Sequence, residues 1–374
     1  MGKNYLRKKL DKVTICGYKS IAHNNPVTLN LGNVNILLGA NGAGKSNIIS
    51  FFRMLGYMMS KSFGVYVEKS GTANSLLHYG PKKTPIMSGT LEFTDTKSAY
   101  SYHFSLSNAA PDRLIITEES IKWHRKTENK PYEVILESNF KESALADSKD
   151  SVAKSIYWML AYCKVYQFHD SSNEGPLRQA CPVDTANYLQ SHGNNLPSFL
   201  LFLRDNYIDS YKRIVDYVRD VIPQFQDFYL EPNNNTISLR WIDNSATDYR
   251  LNAYQFSDGS IRFIALATLL LQPVKTMPDV IILDEPELGL HPYAIAQLAE
   301  MIKDASIHAQ VIIATQSKDL VDLFDVENIS VVEMDEKTQS TSVTHLKESD
   351  YKLWLEHYTV SELWDKNIIG GRPV

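Results

Sequence analysis

The sequence predicts an α/β fold built around a phosphate-binding loop, and two stretches carry that prediction. Residues 35–46 read NILLGANGAGKS, in which Gly39-Ala40-Asn41-Gly42-Ala43-Gly44-Lys45-Ser46 fits G-x-x-x-x-G-K-[ST]. An apolar run, Val34 to Leu38, precedes it and an amphipathic run follows from Asn47, which is the strand–loop–helix context the motif needs. Farther on, Val280-Ile281-Ile282-Leu283-Asp284-Glu285 is an apolar strand ending in two carboxylates.

The chemistry of the loop follows from its residue types. Glycines let the backbone curl so that its N–H groups point inward at an anion, and the helix N-terminus adds a favourable dipole. Lys45 is placed to reach the β- and γ-phosphates of a nucleoside triphosphate, and Ser46 to offer its hydroxyl to Mg2+. Gly39, Asn41, Gly42, Ala43, Gly44, Lys45, Ser46 and Asn47 are therefore the candidate nucleotide-binding residues. Asp284 would hold the water shell of the metal together with Ser46. Glu285, one residue on, points differently and can polarise the water that attacks the γ-phosphorus.

Composition bounds the rest. At 374 residues and 44% hydrophobic content the chain has enough apolar material for one large domain or two ordinary ones. A net charge of −5 argues neither for a general affinity for nucleic acid nor for an acidic tail. The basic N-terminal residues Lys3, Arg7, Lys8, Lys9 and Lys12 read as a solvated end or as a nucleic-acid contact. Cys16, Cys163 and Cys181 form no C-x-x-C, which argues against zinc and against a disulfide framework and suits a reducing cytosol. No apolar leader opens the chain, position 6 lacks the Ser or Thr of a myristoylation signal, and the longest apolar stretch, Phe263–Leu271, is too short for a bilayer. A cytoplasmic protein with no membrane partner is expected.

The elements follow in order. Residues 13–20 and 27–31 read as strands ahead of the loop strand. Ile48, Phe51, Phe52, Leu55 and Met59 have helical spacing, predicting a helix over 47–59. Residues 88–94, 100–106 and 114–124 alternate apolar and polar, predicting an antiparallel β-meander. Residues 139–151 are polar and read as a loop or short helix, 155–162 as a helix, and 164–168 as a strand. From 183 to 222 the pattern is helical, with apolar stripes over 196–206 and 208–221 and Pro223 as the stop. Residues 226–230 and 236–242 are expected to form a hairpin around a Pro-Asn-Asn-Asn turn. The last third alternates helix 259–271, strand 279–283, helix 291–304, strand 310–315, helix 317–324 and strand 328–334, with 349–374 as a short cap. This divides the chain into an N-terminal lobe (1–150), a helical insert with hairpin (151–250) and a C-terminal lobe (251–374), within a single head.

Three further motifs lie in the C-terminal lobe. Ser257-Asp258-Gly259-Ser260 opens a helix 27 residues ahead of Asp284. In isolation Ser257 or Asp258 is equally well an N-cap. Glu287-Leu288-Gly289-Leu290-His291-Pro292 follows the carboxylates, with Pro292 suited to a first helical turn. His291 reads as structural or interfacial. Val311 to Ser317 is a buried strand ending in Thr315-Gln316-Ser317, with Gln316 placed as a γ-phosphate sensor.

In this order, the P-loop, SDGS, ILDEPELGLHP and ATQS resemble the ATPase heads of the RecF/SMC branch of the ABC superfamily. ICGYKSIA, VNILLGANGAGKSNIISFF and ELWDKNIIGGRP are similar to one group within it, the short bacterial ATPases that resemble the ATPase subunits of some phage-defence operons. The resemblance implies an ABC-type P-loop ATPase head with a mixed sheet, an antiparallel β-meander and a helical insert. It implies ATP and Mg2+ as cofactors and a homodimer, or a higher oligomer, formed by an ATP sandwich in which Ser257 and Gly259 of one subunit complete the site of the other. The catalytic set would be Glu285, Lys45 and Gln316.

Two departures matter. Gln316 stands where the family's switch histidine is usual, and an amide cannot take up a proton at neutral pH, so slow hydrolysis is expected. The family's Q-loop glutamine is best matched by Gln167, which reads equally as an ordinary polar residue at a strand end. His169-Asp170-Ser171-Ser172 either lines the site or forms a capped turn, and Lys19 and Ser20 lie where related heads bring a side chain near the nucleotide. His103, His124, His192 and His357 have no ligand spacing.

Two functions fit. One is an ATPase that regulates or drives a separate effector protein, nuclease or toxin-like, in anti-phage defence. The residues after strand 328–334 are too few for a fused nuclease domain, and Glu333, Asp335 and Glu336 read as a solvated strand end. The other is a RecF/SMC-like clamp on duplex DNA in repair or recombination, using Lys122, Arg125, Lys126 and Lys130 or Lys212 and Arg213. The meander and the KSI-type opening disfavour a transporter cassette. The helical insert, 183–222, is expected to project and to meet the partner or DNA.

Overall fold

The computed structural model describes residues 8–127, 131–137, 140–335 and 337–372. The chain forms two compact units. Of the described residues, one comprises Val165–Phe324 and the other combines 8–164 with those from 325 to 372.

The P-loop unit opens with β1 (Lys9–Cys16), β2 (Val27–Asn30) and β3 (Val34–Leu38), followed by α1 (Lys45–Met59), α2 (Phe63–Lys69) and α3 (Thr72–Leu76). The meander is β4 (Ile86–Thr94), β5 (Ser98–Ala109), β6 (Arg113–Arg125) and the short edge strand β7 (Tyr132–Ile135); α4 (Ser151–Ala161) follows. These strands make one antiparallel sheet in the order β2-β1-β4-β5-β6-β7. Its alternation puts Leu91, Phe93, Tyr102, Phe104 and Ile121 into the core. Gly89 makes room for α1: a Cβ there would lie 2.6 Å from the Phe104 ring and 2.7 Å from that of Phe51. The rings of Phe51 and Phe104 stack at 6.0 Å. Each such buried aromatic contributes about 1.5–3 kcal/mol, so the meander anchors the helix that carries the loop.

β8 (Cys163–Tyr166) crosses the boundary into the second unit, which continues with β9 (Cys181–Pro182), α5 (Leu196–Asn206) and α6 (Ile208–Val221). Next come β10 (Phe225–Tyr229), β11 (Thr236–Ile237), β12 (Arg240–Asp243) and β13 (Ala246–Asn252). The unit ends with α7 (Asp258–Leu270), β14 (Val280–Asp284), α8 (Pro292–Ser306), β15 (Gln310–Thr315) and α9 (Lys318–Val321). β14 and β15 pair in parallel, Asp284 opposite Ala314. Every residue of both strands is buried, as expected of parallel strands covered on both faces.

The chain then returns to the P-loop unit through β16 (Ile329–Asp335), β17 (Ser340–His345), α10 (Glu348–Leu355) and α11 (Val360–Asp365). β16 runs parallel to β3 and antiparallel to β17, so the sheet around the loop strand is mixed.

Three expectations are corrected. The expected hairpin of 226–230 with 236–242 forms only in part: Asp227–Tyr229 of β10 pair antiparallel with Arg240–Ile242 of β12, whereas Thr236–Ile237 pair with Cys181–Pro182. Buried Ile237 is held there by cross-strand pairing that its own neighbourhood does not encode. The helical pattern expected from 183 is a single short turn at Val183–Thr185 until α5 begins at Leu196. The helices 196–206 and 208–221 do not project; they pack on α7, and α6 also on α8. Their buried faces include Phe199, Leu200, Leu203, Ile214 and Val218.

Candidate functional site

The loop turns where its sequence demands. Gly42 and Gly44 have φ of 83° and 107°, a region that side chains rarely adopt. Gly39 leaves β3 so close to β16 that a Cβ would lie 2.3 Å from the Val332 carbonyl oxygen. At Gly44 a Cβ would lie 2.0 Å from Thr341 Oγ1. α1 has no side-chain cap and no acidic residue in its first turn, which keeps its N-terminus suited to an anion. Lys45 is buried, with Nζ donating to the Gly39 and Ala40 carbonyls at 2.6 and 3.1 Å, while Ser46 is exposed.

A polar network backs this loop. Thr341 of β17 donates from Oγ1 to the Ala43 carbonyl at 3.0 Å and meets Ser20 Oγ at 2.7 Å. Asn47 Nδ2 donates to Ser20 Oγ at 2.7 Å, and Thr341 N donates to the Ser20 carbonyl at 2.8 Å. Ser20 thus supports the loop. Lys19 Nζ donates to Ser50 Oγ at 2.9 Å, and burial, with the nearby Arg53 charge, lowers its pKa.

The second unit assembles the carboxylates. Asp284 is 6% exposed at the end of β14. Gln167 Nε2 donates to Asp284 Oδ2 at 2.7 Å, and His169 Nε2 donates to the Asp284 backbone oxygen at 2.7 Å. Asp284 Oδ1 is buried with no hydrogen-bond partner among the described residues. A buried carboxylate oxygen without a donor is costly unless a cation or its water shell satisfies it, so this residue fits the Mg2+ role. Glu285 follows with φ of 44° and its N–H held by the Ala314 carbonyl at 2.8 Å. Gln316 Nε2 donates to Glu285 Oε2 at 3.3 Å. Thr315 Oγ1 donates to Glu287 Oε1 at 2.5 Å and accepts from Ser317 N at 2.9 Å. A cavity about the size of one water lies among Tyr166, Phe168, His169, Arg262, Asp284 and Glu285.

Ser257 caps α7, its Oγ accepting from Ser260 N at 3.0 Å. Gly259 lies against the turn after the carboxylates, where a Cβ would be 2.3 Å from the Gly289 carbonyl oxygen. His291 caps α8 through Nδ1 accepting from Tyr293 N at 3.3 Å, a structural role. His169-Asp170-Ser171-Ser172 divides its work: His169 meets Asp284, and Asp170 accepts from Ser172 N in a capped turn.

Of the expected basic surfaces, Lys122 pairs with Glu133 at 3.1 Å and Arg213 with Asp304 at 3.0 Å; Lys130 lies outside the described residues. Glu333 accepts from Gly371 N at 3.0 Å and Asp335 from Lys337 N at 2.9 Å, so these acids organise turns; Glu336 lies outside the described residues. Among the described residues no group of three or more His, Cys, Asp or Glu is arranged to hold a metal, and no helix is long and apolar enough to cross a membrane.

Sequence reasoning missed Thr341, Arg178 and Arg262. Thr341 lies in a Ser/Thr-rich strand without a motif. The arginines carry no local spacing signal, although Arg262 follows the SDGS helix start by one turn.

The fold and these two sets of residues define an ABC/SMC-like P-loop ATPase. An AAA-domain family model matches residues 12–240, more than half of the chain, and the chain belongs to that family. A second model, described as "AAA domain, putative AbiEii toxin, Type IV TA system", matches residues 169–322. A Geobacter sulfurreducens protein described as "Putative ABC transporter ATP-binding protein" is 39% identical over 59 residues, 16% of this chain; the match spans 22% of that relative's length. The fold resembles an SMC head crystallised with the C-terminal winged-helix domain of ScpA, with a TM-score of 0.55 and 16% identity over 92% of this chain and 99% of that one. It also resembles an SMC head with an extended coiled coil bound to the C-terminal domain of ScpA derived from Pyrococcus furiosus, with a TM-score of 0.53 and 14% identity over 93% and 99% of the two chains.

Proposed function

We propose that this chain binds and hydrolyses ATP, dimerises around it, and uses the cycle to regulate a separate effector in bacterial anti-phage defence. The observation that carries the nucleotide chemistry is the buried Asp284 carboxylate, with one oxygen on Gln167 and the other without a hydrogen-bond partner among the described residues. Gly39–Ser46 would cradle the phosphates, with Asn47 following, and Ser46 and Asp284 are the residues assigned to Mg2+. Mg2+ ordinarily keeps several waters and takes few protein ligands, so a small donor set suffices. When bound it would neutralise phosphate charge. Lys45 would exchange its loop carbonyls for phosphate oxygens. Glu285, oriented by Gln316, would position the attacking water, and catalysis would rest on positioning and charge. Ser257 and Gly259 would contact the nucleotide of a second subunit.

The match to a family model described with a toxin of a toxin–antitoxin system supports an effector-linked role over a DNA clamp. So does the pairing of Lys122 and Arg213 with acids. A winged-helix partner such as the one in the first of these SMC head structures is a further class of protein the head could engage. Phosphate release by the wild type, lost in Lys45→Ala, Asp284→Asn and EDTA, tests the chemistry; ATP turnover unaffected by Lys45→Ala contradicts it. Affinity capture with mass spectrometry tests the partner. A nuclease or toxin-like chain is expected, and a protein recovered alone that binds duplex DNA only with ATP contradicts the effector reading.

A further inference from the structure

Between β8 and α5 the chain folds around a cavity of about 450 Å³. Its walls are two stretches of one unit, 174–182 and 185–195. Hydrogen bonds fix the second wall. Asn195 is 1% exposed; its Nδ2 donates to the Thr185 and Tyr188 carbonyls at 2.6 and 2.7 Å, and its Oδ1 accepts from Gln190 N at 2.9 Å. Ser198 Oγ donates to the Val183 carbonyl at 2.7 Å. Packing ties the walls together: Gly193, at φ of 74°, sits so close that a Cβ would lie 2.3 Å from Leu177 Cδ2. The cavity is thus preformed and in the size range of small-molecule sites. Buried Cys181 and Asn195 form its floor; Glu174, Gln179, His192 and Asn194 are exposed at its rim, and Gln190 is half-buried.

The polar groups left free on these walls define what fits. The side chains of Glu174, Gln190 and Asn194 make no hydrogen bond or ion pair among the described residues. An amide offers a donor and an acceptor side by side, whereas a carboxylate offers acceptors alone. Among the described residues no Lys or Arg lines the cavity. Arg178 lies in the first wall but is engaged elsewhere, with Nε on the Ser171 carbonyl at 2.8 Å and Nη2 on Asp258 Oδ1 at 2.8 Å. Arg262 is held by the Phe168 and His169 carbonyls at 3.1 and 2.7 Å. A phosphate would therefore meet the Glu174 carboxylate with only the His192 imidazole to offset it. A simple cation would satisfy Glu174 but leave the amide N–H groups of Gln190 and Asn194 unused. A planar edge with both donors and acceptors uses all three residues. Guanine has such edges: N1–H and N2–H suit a carboxylate, and O6 and N7 suit amide N–H donors. The apolar bodies of Pro176, Ala180 and Pro182 offer cover for its ring faces. We propose that this cavity binds an uncharged purine nucleobase or nucleoside, guanine in preference to adenine. The site is separate from Gly39–Ser46, which belongs to the other unit.

Calorimetric titration of the full chain with guanosine, adenosine and GMP tests the site. Lys45→Ala is titrated beside the wild type, so that any binding in the P-loop is recognised. Guanosine binds both proteins with equal affinity. In Lys45→Ala, adenosine and GMP bind about tenfold or more weakly than guanosine, the scale of discrimination that a paired base edge supplies. Glu174→Gln and Gln190→Ala each weaken guanosine about tenfold or more, with melting temperatures unchanged. Guanosine that fails to bind at millimolar concentration overturns the assignment. So does guanosine that binds Glu174→Gln and Gln190→Ala as tightly as the wild type, or that is lost in Lys45→Ala. Equal affinity for adenosine, or an arginine amide that binds where guanosine does not, overturns it as well.

Discussion

The side-chain amide of Gln167 donates to Oδ2 of Asp284 at 2.7 Å across 117 residues of sequence. That bond fixes the carboxylate and leaves Oδ1 as the oxygen that can turn to a metal. Gln167→Ala should therefore weaken Mg2+-dependent turnover about 10- to 100-fold, as is typical of outer-shell partners. ATP binding measured in EDTA should change little. Magnesium titrations of phosphate release check this, and an unchanged Mg2+ dependence would remove Gln167 from the site.

Thr341 is the hidden support of the loop. Thr341→Val keeps the shape but removes the hydroxyl from the Ala43 carbonyl and from Ser20. A loss of about 1–3 kcal/mol of stability is expected for two buried hydrogen bonds, together with weaker ATP binding. Urea unfolding and calorimetric titration measure the two effects separately. Stability lost with unchanged affinity would make the network structural only.

Gln316 holds Glu285 but cannot accept a proton. Gln316→His should raise kcat, by about tenfold or more if general-base chemistry is the missing element. The imidazole accepts a proton only when neutral, so the gain should appear as pH rises through about 6.5 and vanish below it. A pH–rate profile parallel to that of the wild type would show that proton uptake does not limit turnover.

Lys19 gives a pH signature. Burial, reinforced by Arg53, lowers its pKa below 10.5, so near that pH the unfolded chain binds the proton more tightly than the native one. Stability contributed at this residue therefore rises with pH between the lowered native pKa and about 10.5. Relative to wild type, Lys19→Met should be favoured at pH 8, and its advantage should shrink by pH 10.5. Paired urea melts at the two pH values check the sign.

The parts legible in the sequence are those in which chemistry and geometry share a short stretch. Gly39 to Ser46 encodes a turn and an anion site together, and Val280 to Glu285 encodes a buried strand and its terminal acids. The meander was legible because alternation reports a half-buried sheet, and the pairing of β4, β5 and β6 follows it. Ile237 was misassigned because alternation gives a strand but not its partner. The 40 residues after 334 hid β17 because a polar strand has no apolar rhythm. Gln167 gained a clear position only when Asp284 was brought to it. Arg178 and Arg262 serve distant backbone carbonyls, and no residue spacing records such bonds.

The composite ATP-bound dimer is the central claim, and the mass of Glu285→Gln in Mg-ATP tests it most directly. Light scattering on the purified chain should show a mass that doubles on adding Mg-ATP and returns to that of one subunit when Lys45→Ala is also present. Glu285→Gln that binds Mg-ATP and remains a monomer would contradict it.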